Sequence, residues 1–301
     1  MLRLRPPTPQ DADAAFAVIL ARDLADLGLA DYTPEDLHDD WSASEFNLAT
    51  DAVVCDDGHG AIVGYAAIRR THSLAVVDPQ HECRGIGAML LDWVETRERE
   101  LGRDRHRQGI ASTDRRGARL LESAGYRHER SYWRMATSLA DPPDEGQIDG
   151  ATLRGLELPR DAQALYQLDA ESFADAPDYV PMSISAFRNR HLAAHDFAPE
   201  LSAAAAVDGE LIGFLLARRW EEDNAGFVDI LAVAPAYQGR GVGTALLKRA
   251  FRRFAVAGLG EAHLVVASSN PDALRLYERL GMAARFRIDA YERPVAPSTQ
   301  A

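Results

Sequence analysis

The chain has 301 residues, 47% of them hydrophobic and 26% charged, which leaves room for two ordinary domains with real cores. A net charge of −13 argues against nucleic-acid binding, which needs basic residues to displace counterions, and Cys55 and Cys83 are too few and too scattered for a disulfide framework or a zinc site. No apolar stretch approaches membrane-spanning length and "MLRLRPPTPQ" lacks a signal-peptide core, so a soluble cytoplasmic protein with no membrane partner and no metal is expected.

The two halves read as one series of elements, most plainly in the second. There, "TLRGLEL" predicts a strand, "RDAQALYQLDAESF" an amphipathic helix and "SISAFRNRHL" a further helix. "LSAAAAV", the turn Asp208-Gly209 and "ELIGFLLARRW" predict a hairpin. "GFVDILAV" is the next strand, stopped by Pro235. From Gly241 a helix presents Val242, Leu246, Leu247, Ala250, Phe251 and Phe254 on one face and ends at Gly258. "HLVVA", a helix from Pro271 to Leu280 and "ARFRIDAYERP" complete the series. Strands, some joined as hairpins and interspersed with helices, predict an α/β (α+β) mixed sheet covered by helices.

Offset by 156 residues, the sequence matches itself without gaps from about residue 74 to 126. Val77 meets Val233, Pro79 meets Pro235, Arg84-Gly85 meets Arg240-Gly241, Gly87 meets Gly243 and Gly125 meets Gly281. That period exceeds the roughly 20–50 residues of a solenoid, so it marks a duplicated domain. The polar, Pro- and Gly-rich "ADPPDEGQIDG" predicts a boundary: a first domain over 1–140, a linker over 141–147 and a second domain over 148–301.

"YQGRGVG" puts three glycines where the strand ending at Val233 gives way to a helix. A helix start offers unpaired N–H groups and the positive end of its dipole, and glycine lets that backbone curl around phosphate oxygens. Gln238, Gly239, Arg240, Gly241, Val242 and Gly243 therefore form a candidate pyrophosphate cradle, with the Thr244 hydroxyl beside it. No lysine follows as in nucleotide-hydrolysing phosphate loops, and the strand comes too late in its domain for a dinucleotide fold.

That loop, placed behind "ILAVAPAY" and ahead of "ASSNPDALRLYERLGM", resembles the GNAT superfamily of acyl-CoA-dependent N-acyltransferases. The duplication, with "LLESAGYRHERSYWRM" closing its first copy, is most similar to tandem acetyltransferases of the mycothiol synthase type. The resemblance implies two tandem GNAT-like domains and acetyl-CoA as co-substrate, lying where the fourth and fifth strands of a domain part. It implies that Leu231 and Val233 present a strand edge to the pantetheine arm and that Asn270 reaches it, besides capping the helix at Pro271. It also implies that the Tyr277 hydroxyl protonates the leaving thiolate, in addition to packing on one helical face with Ala273, Leu276 and Leu280. Phe227 stands where many relatives carry a glutamate base; Asp229, two residues on, is the candidate in its place. Glu171, Asp175, Asp178 and Tyr179 would face an acceptor amine.

The first copy keeps Val77, Arg84, Gly85 and Gly87 as candidate cofactor contacts but has Glu82 for Gln238, Cys83 for Gly239, Asp114 for Asn270 and Leu121 for Tyr277. Thr71 and Ser73 occupy its base positions. The first half is expected to be silent and the second to transfer an acetyl group to a primary amine, first of all on a small molecule. The alternatives are a protein amine or a CoA-binding sensor without catalysis.

Overall fold

Both halves turn their apolar periodicity into strands and helices in closely similar order, the first with one more short helix after its first strand. The computed structural model describes residues 1–43, 45–69, 72–176 and 179–295. By contact the chain divides into two compact units, Met1–Tyr132 with Phe286–Ala301, and Trp133–Arg285. Each is a mixed α/β unit.

The first half runs β1 (Arg3–Arg5), α1 (Ala12–Asp26), α2 (Pro34–Ser42), α3 (Leu48–Asp51), β2 (Ala52–Asp56), β3 (Ile62–Ile68), β4 (Ser73–Val77), α4 (Ile86–Glu100), β5 (Arg105–Ala111), α5 (Arg115–Ser123) and β6 (Arg127–Ser138). In the first unit β1 to β4 pair antiparallel in chain order, and β4 meets β5 in parallel at Ser73↔Gln108. One sheet face packs Val54 and Tyr65 against Ala15, Val18 and Ile19 of α1. The other packs Val53, Cys55 and Val63 against Ile86, Leu90 and Val94 of α4.

The second half runs β7 (Thr152–Arg154), α6 (Ala162–Phe173), α7 (Ile184–Phe187), β8 (Ala203–Val207), β9 (Glu210–Trp220), β10 (Ala225–Val233), α8 (Val242–Val256), β11 (Glu261–Ala267), α9 (Pro271–Arg279) and β12 (Ala283–Pro294). β7 to β10 form an antiparallel meander and β10 pairs β11 in parallel. The buried α8 stripe is Val242, Ala245, Leu246, Leu247, Ala250, Phe251 and Phe254, as its period predicts. Each buried phenylalanine there contributes about 1.5–3 kcal/mol. Gly226 has to be glycine, because a Cβ would fall 2.2 Å from the Phe254 ring. α6 and α7 cover the opposite face, over Phe214, Leu216, Ile230 and Ala232.

The helix predicted at "SISAFRNRHL" starts at its Ser183 cap but widens after Phe187 into a π turn, Arg188–Leu192. The segment expected as linker lies along α8: Glu145 pairs with Arg249 at 3.0 Å, and Gly146 sits directly on Ala245. The last strand is formed as expected, but its partner is β5, in a register from Ile288↔Ala111 to Pro294↔Arg105 within the first unit. β12 and β6 are repeat equivalents, so either presents a similar edge to either neighbour, the condition under which identical elements exchange.

Candidate active site

β10 and β11 pair only from Ala225↔Glu261 to Val228↔Leu264, although β10 continues to Val233 and β11 to Ala267. The cause is local. Against β9, Val228 faces Ala217 and Ile230 faces Leu216, so Asp229 is an extra, bulged residue. A bulge bends its strand and turns the residues beyond it to a new direction. Val228 packs in the α8 core, whereas Ile230 packs under α6. Past the bulge β10 leaves β11, and the edge at Leu231 and Val233 has no strand on that side among the described residues.

The glycine loop stands at the end of this opening. Gly239 has φ 72° and Gly241 φ 84°, with nothing within 4 Å of a notional Cβ, so conformation rather than space demands glycine at both. Gly241 caps α8 without a side-chain acceptor, and the first cap bond is Ala245 N–H to the Gly241 carbonyl at 3.0 Å. Among the described residues the six N–H groups of 239–244 have no hydrogen-bond partner. Gln238 donates its amide to the Val233 carbonyl at 3.1 Å and ties the loop to the strand end. Arg240 lies 5.4 Å over the Tyr237 ring and has no acidic partner among the described residues. A curled run of free N–H groups at a helix start, beside an unpaired cation, is what a diphosphate requires.

Asn270 caps α9 by accepting from Ala273 N–H at 3.0 Å. Tyr277, about two turns later, is 9% exposed and lies in the core cluster that also holds Val242, Leu246 and Phe251. Its hydroxyl has no partner among the described residues, and burial pushes it up to about 12. The phenol thus stays protonated throughout the neutral range.

Asp229 sits at the point of divergence, though not as a free carboxylate. His191 Nδ1 lies 2.7 Å from its Oδ2, and Arg218 Nε lies 3.2 Å from its Oδ1. Burial pushes the carboxyl up, but these two partners outweigh it and bring it down to about 2. An ionised group so held is a weak proton acceptor at neutral pH. Phe227 does no acid–base work either: it stacks on Trp220 at 4.4 Å, with Arg134 over both rings.

Sequence reasoning passed over His191, Arg218 and Asp169. The signal for His191 was its place four residues after Phe187, on the same helical face; both are buried, with ring centroids 5.1 Å apart. Asp169 of α6, the helix expected to line the acceptor side, is buried and pushed up to about 6 by burial. The acids expected there are less engaged: Glu171 and Asp175 are exposed, and Asp178 lies outside the described residues.

In the first unit the equivalent turn persists, with Cys83 at φ 60° and Gly85 at φ 83°. Glu82 is held by Arg22 of α1 at 2.7 Å and by Arg116 of α5, and Arg22 lies 3.7 Å from Asp114. This ion cluster joins the turn to the start of α5, and no ion pair makes the corresponding link between residues 237–244 and α9 among the described residues. Leu121 is buried where the second copy has Tyr277, Ser73 donates to Glu98 at 2.5 Å, and Thr71 lies outside the described residues. Among the described residues no helix is long and apolar enough to cross a membrane, and no group of three His, Cys, Asp or Glu side chains could hold a metal.

The Acetyltransferase (GNAT) family matches residues 162–282. The mycothiol acetyltransferase of Actinosynnema mirum is 34% identical over 183 residues, 60% of this chain and 60% of that protein's own length. That of Thermomonospora curvata is 32% identical over 247 residues, 78% of this chain and 80% of the relative. A GCN5-related N-acetyltransferase from Sphaerobacter thermophilus superposes over 100% of this chain and 98% of its own, with TM-score 0.82 and 25% identity. A tandem GNAT protein from the clavulanic acid biosynthesis pathway covers 99% of this chain and 100% of its own at TM-score 0.77 and 15% identity, a likeness of fold. With a parted β10–β11 pair, an open N–H nest and relatives matched over most of its length, the chain belongs to the GNAT family of acetyltransferases, as a tandem member using acetyl-CoA as acetyl donor.

Proposed function

We propose that the second unit transfers the acetyl group of acetyl-CoA directly to the primary amine of a small molecule. The six unclaimed N–H groups at residues 239–244, opening onto an unpaired strand edge, carry this reading. The relatives' name, mycothiol acetyltransferase, supports a small-molecule acceptor. Acidic groups on the acceptor side, Asp169 above all, suit a cationic amine.

When bound, acetyl-CoA supplies an activated thioester carbonyl. The N–H groups of 239–244 and Arg240 hold its diphosphate, and the β10 edge at Leu231 and Val233 pairs with its amide arm. A main-chain N–H near Val233 stabilises the oxyanion as the amine nitrogen bonds to the carbonyl carbon. The C–S bond breaks, and Tyr277 gives its proton to the departing sulfur. Positioning of the two reactants supplies much of the acceleration.

Thiol release from acetyl-CoA across a panel of aminosugars, polyamines and peptide amines tests this. Turnover is expected with small amines; turnover confined to peptide amines overturns the acceptor class. Gly241→Ala forces an L-residue to φ 84° at a cost of about 1–2 kcal/mol, so the KM for acetyl-CoA is expected to rise about tenfold with kcat little changed. Steady-state kinetics checks the split.

The first unit, lacking a phenol at residue 121 and closed by the Arg22–Glu82–Arg116 cluster, does no chemistry in this reading. Arg84→Ala is expected to leave kcat and KM unchanged. Loss of turnover in that variant, with Tyr277→Phe active, would assign the chemistry to the other half.

A further inference from the structure

Direct transfer releases a proton from the attacking amine, and neither Tyr277 nor Asp229 can take it. Tyr277 is the donor at the opposite end of the reaction. Asp229 stands at the divergence of β10 and β11 but is clamped from two sides. The side chain completing that clamp is a histidine, delivered by a feature that the repeat and the helix pattern do not require.

His191 lies within the π turn Arg188–Leu192. Such widened turns re-aim a side chain off the regular helical face and concentrate at functional sites. The ring is 8% exposed and packs on Phe187. Its Nδ1 is 2.7 Å from Asp229, and an ionised carboxylate only accepts, so Nδ1 carries the hydrogen. Nε2 then bears the lone pair, on the ring edge away from the carboxylate, and has no hydrogen-bond partner among the described residues. The side chain is 10% exposed, and its unpartnered acceptor nitrogen is not one of the atoms sealed from solvent, so a ligand proton can meet it there.

The charged groups facing His191 come from three elements. Asp229 of β10 orients the ring and stabilises it when charged. Arg218 of β9 reaches Asp229 through both Nε and Nη2 and donates to the Arg190 carbonyl, fixing the carboxylate and the turn together. Asp169 of α6 adds a second carboxyl whose field reaches both His191 and Asp229. This is the orienting-carboxylate logic of hydrolytic triads, with an amine in place of the serine.

We propose that His191 is the general base of this acetyltransferase, taking the amine proton at Nε2, with Asp229 as its positioning residue and Arg218 as the clamp. The assignment rests on the transfer reaction proposed above. As the amine nitrogen forms its bond to the carbonyl carbon, one N–H proton passes to Nε2 and the imidazolium gives it to water after product leaves. The thiolate is protonated by Tyr277, and the proton shed by the imidazolium returns through water to the resulting Tyr277 phenolate, so charge and protons balance over the cycle.

Two measurements test this. The first needs no turnover: long-range ¹H–¹⁵N correlation on the uniformly labelled full chain reads the His191 tautomer. The Nδ1–H form is expected in the native protein, with a shift towards Nε2–H in Asp229→Asn; an Nε2–H form in the native protein overturns the proposal. The second is kinetic, on a small amine the native enzyme turns over. His191→Gln is expected to lower kcat about 100-fold, with the KM for acetyl-CoA nearly constant, and Asp229→Asn to lower it about tenfold or more. A His191→Gln enzyme with native kcat overturns the base assignment. Should the native enzyme acetylate no small amine while the tautomer result holds, the acceptor class fails and the His191–Asp229 pairing does not.

Discussion

Tyr277→Phe is expected to lower kcat by about 10²–10³-fold while leaving the KM for acetyl-CoA within about twofold. The substitution removes one oxygen from a ring that otherwise stays in the same buried core cluster, so fold and cofactor grip persist. What is lost is the only hydroxyl that α9 carries, one with no protein partner among the described residues to satisfy it. Burial pushes the phenol up to about 12, above its ordinary value near 10. It is thus fully protonated across any assay from pH 6 to 9, and the phenylalanine variant should lose rate evenly over that range without changing the shape of the profile. The same shift bears on stability: the neutral phenol is favoured in the fold, so its contribution is intact below about pH 10 and is lost as pH rises towards 12. Stopped assays of thiol release at several pH values check the kinetic part. A variant with native kcat would remove Tyr277 from the chemistry.

Much of this site is legible in the sequence because its parts are local. Gly239 and Gly241 announce a backbone that no other residue adopts cheaply, and the α8 stripe follows from spacing alone. Asn270-Pro271 caps a helix by rules that operate within four residues. The parts that escaped depend on partners distant along the chain. Asp229 reads as an open carboxylate until Arg218 and His191, 11 and 38 residues away, are folded onto it. The bulge that parts β10 from β11 leaves no mark in "GFVDILAV", whose alternation looks unbroken. His191 arrives through a π turn inside a segment that reads as plain helix. The seat of β12 beside β5 is likewise hidden, because β6 and β12 share a pattern and only the packed sheet distinguishes their neighbours. The duplication that reveals two copies thus also conceals where the last strand goes.

Glu98→Ala is expected to destabilise the first unit by about 3–5 kcal/mol, the cost of stripping a buried charge pair of one member. Glu98 is fully buried on α4, and three groups converge on its carboxylate: Ser73 Oγ at 2.5 Å, His106 Nδ1 at 2.5 Å and Arg103 Nη1 at 3.1 Å. Its repeat equivalent is Phe254, and those of Ser73 and His106 are Asp229 and Ala262. The first copy has therefore replaced an aromatic core contact by a buried polar hub, which leaves it sensitive in a way the second is not. Alanine would strand the Ser73 hydroxyl, the His106 ring and part of the Arg103 charge away from water, besides leaving a cavity. Glutamine keeps the volume and one acceptor, so Glu98→Gln should lose markedly less. Phe254→Leu in the second unit should cost only the smaller packing term, about 1–1.5 kcal/mol. Calorimetry on the full chain reads the difference as a fall in the first unit's Tm on the order of 10 °C for Glu98→Ala. Because Ser73 and Glu98 are here a structural pair, acetyl transfer measured well below that transition should match the native rate; a catalytic loss without a loss of stability would assign the hub to chemistry instead.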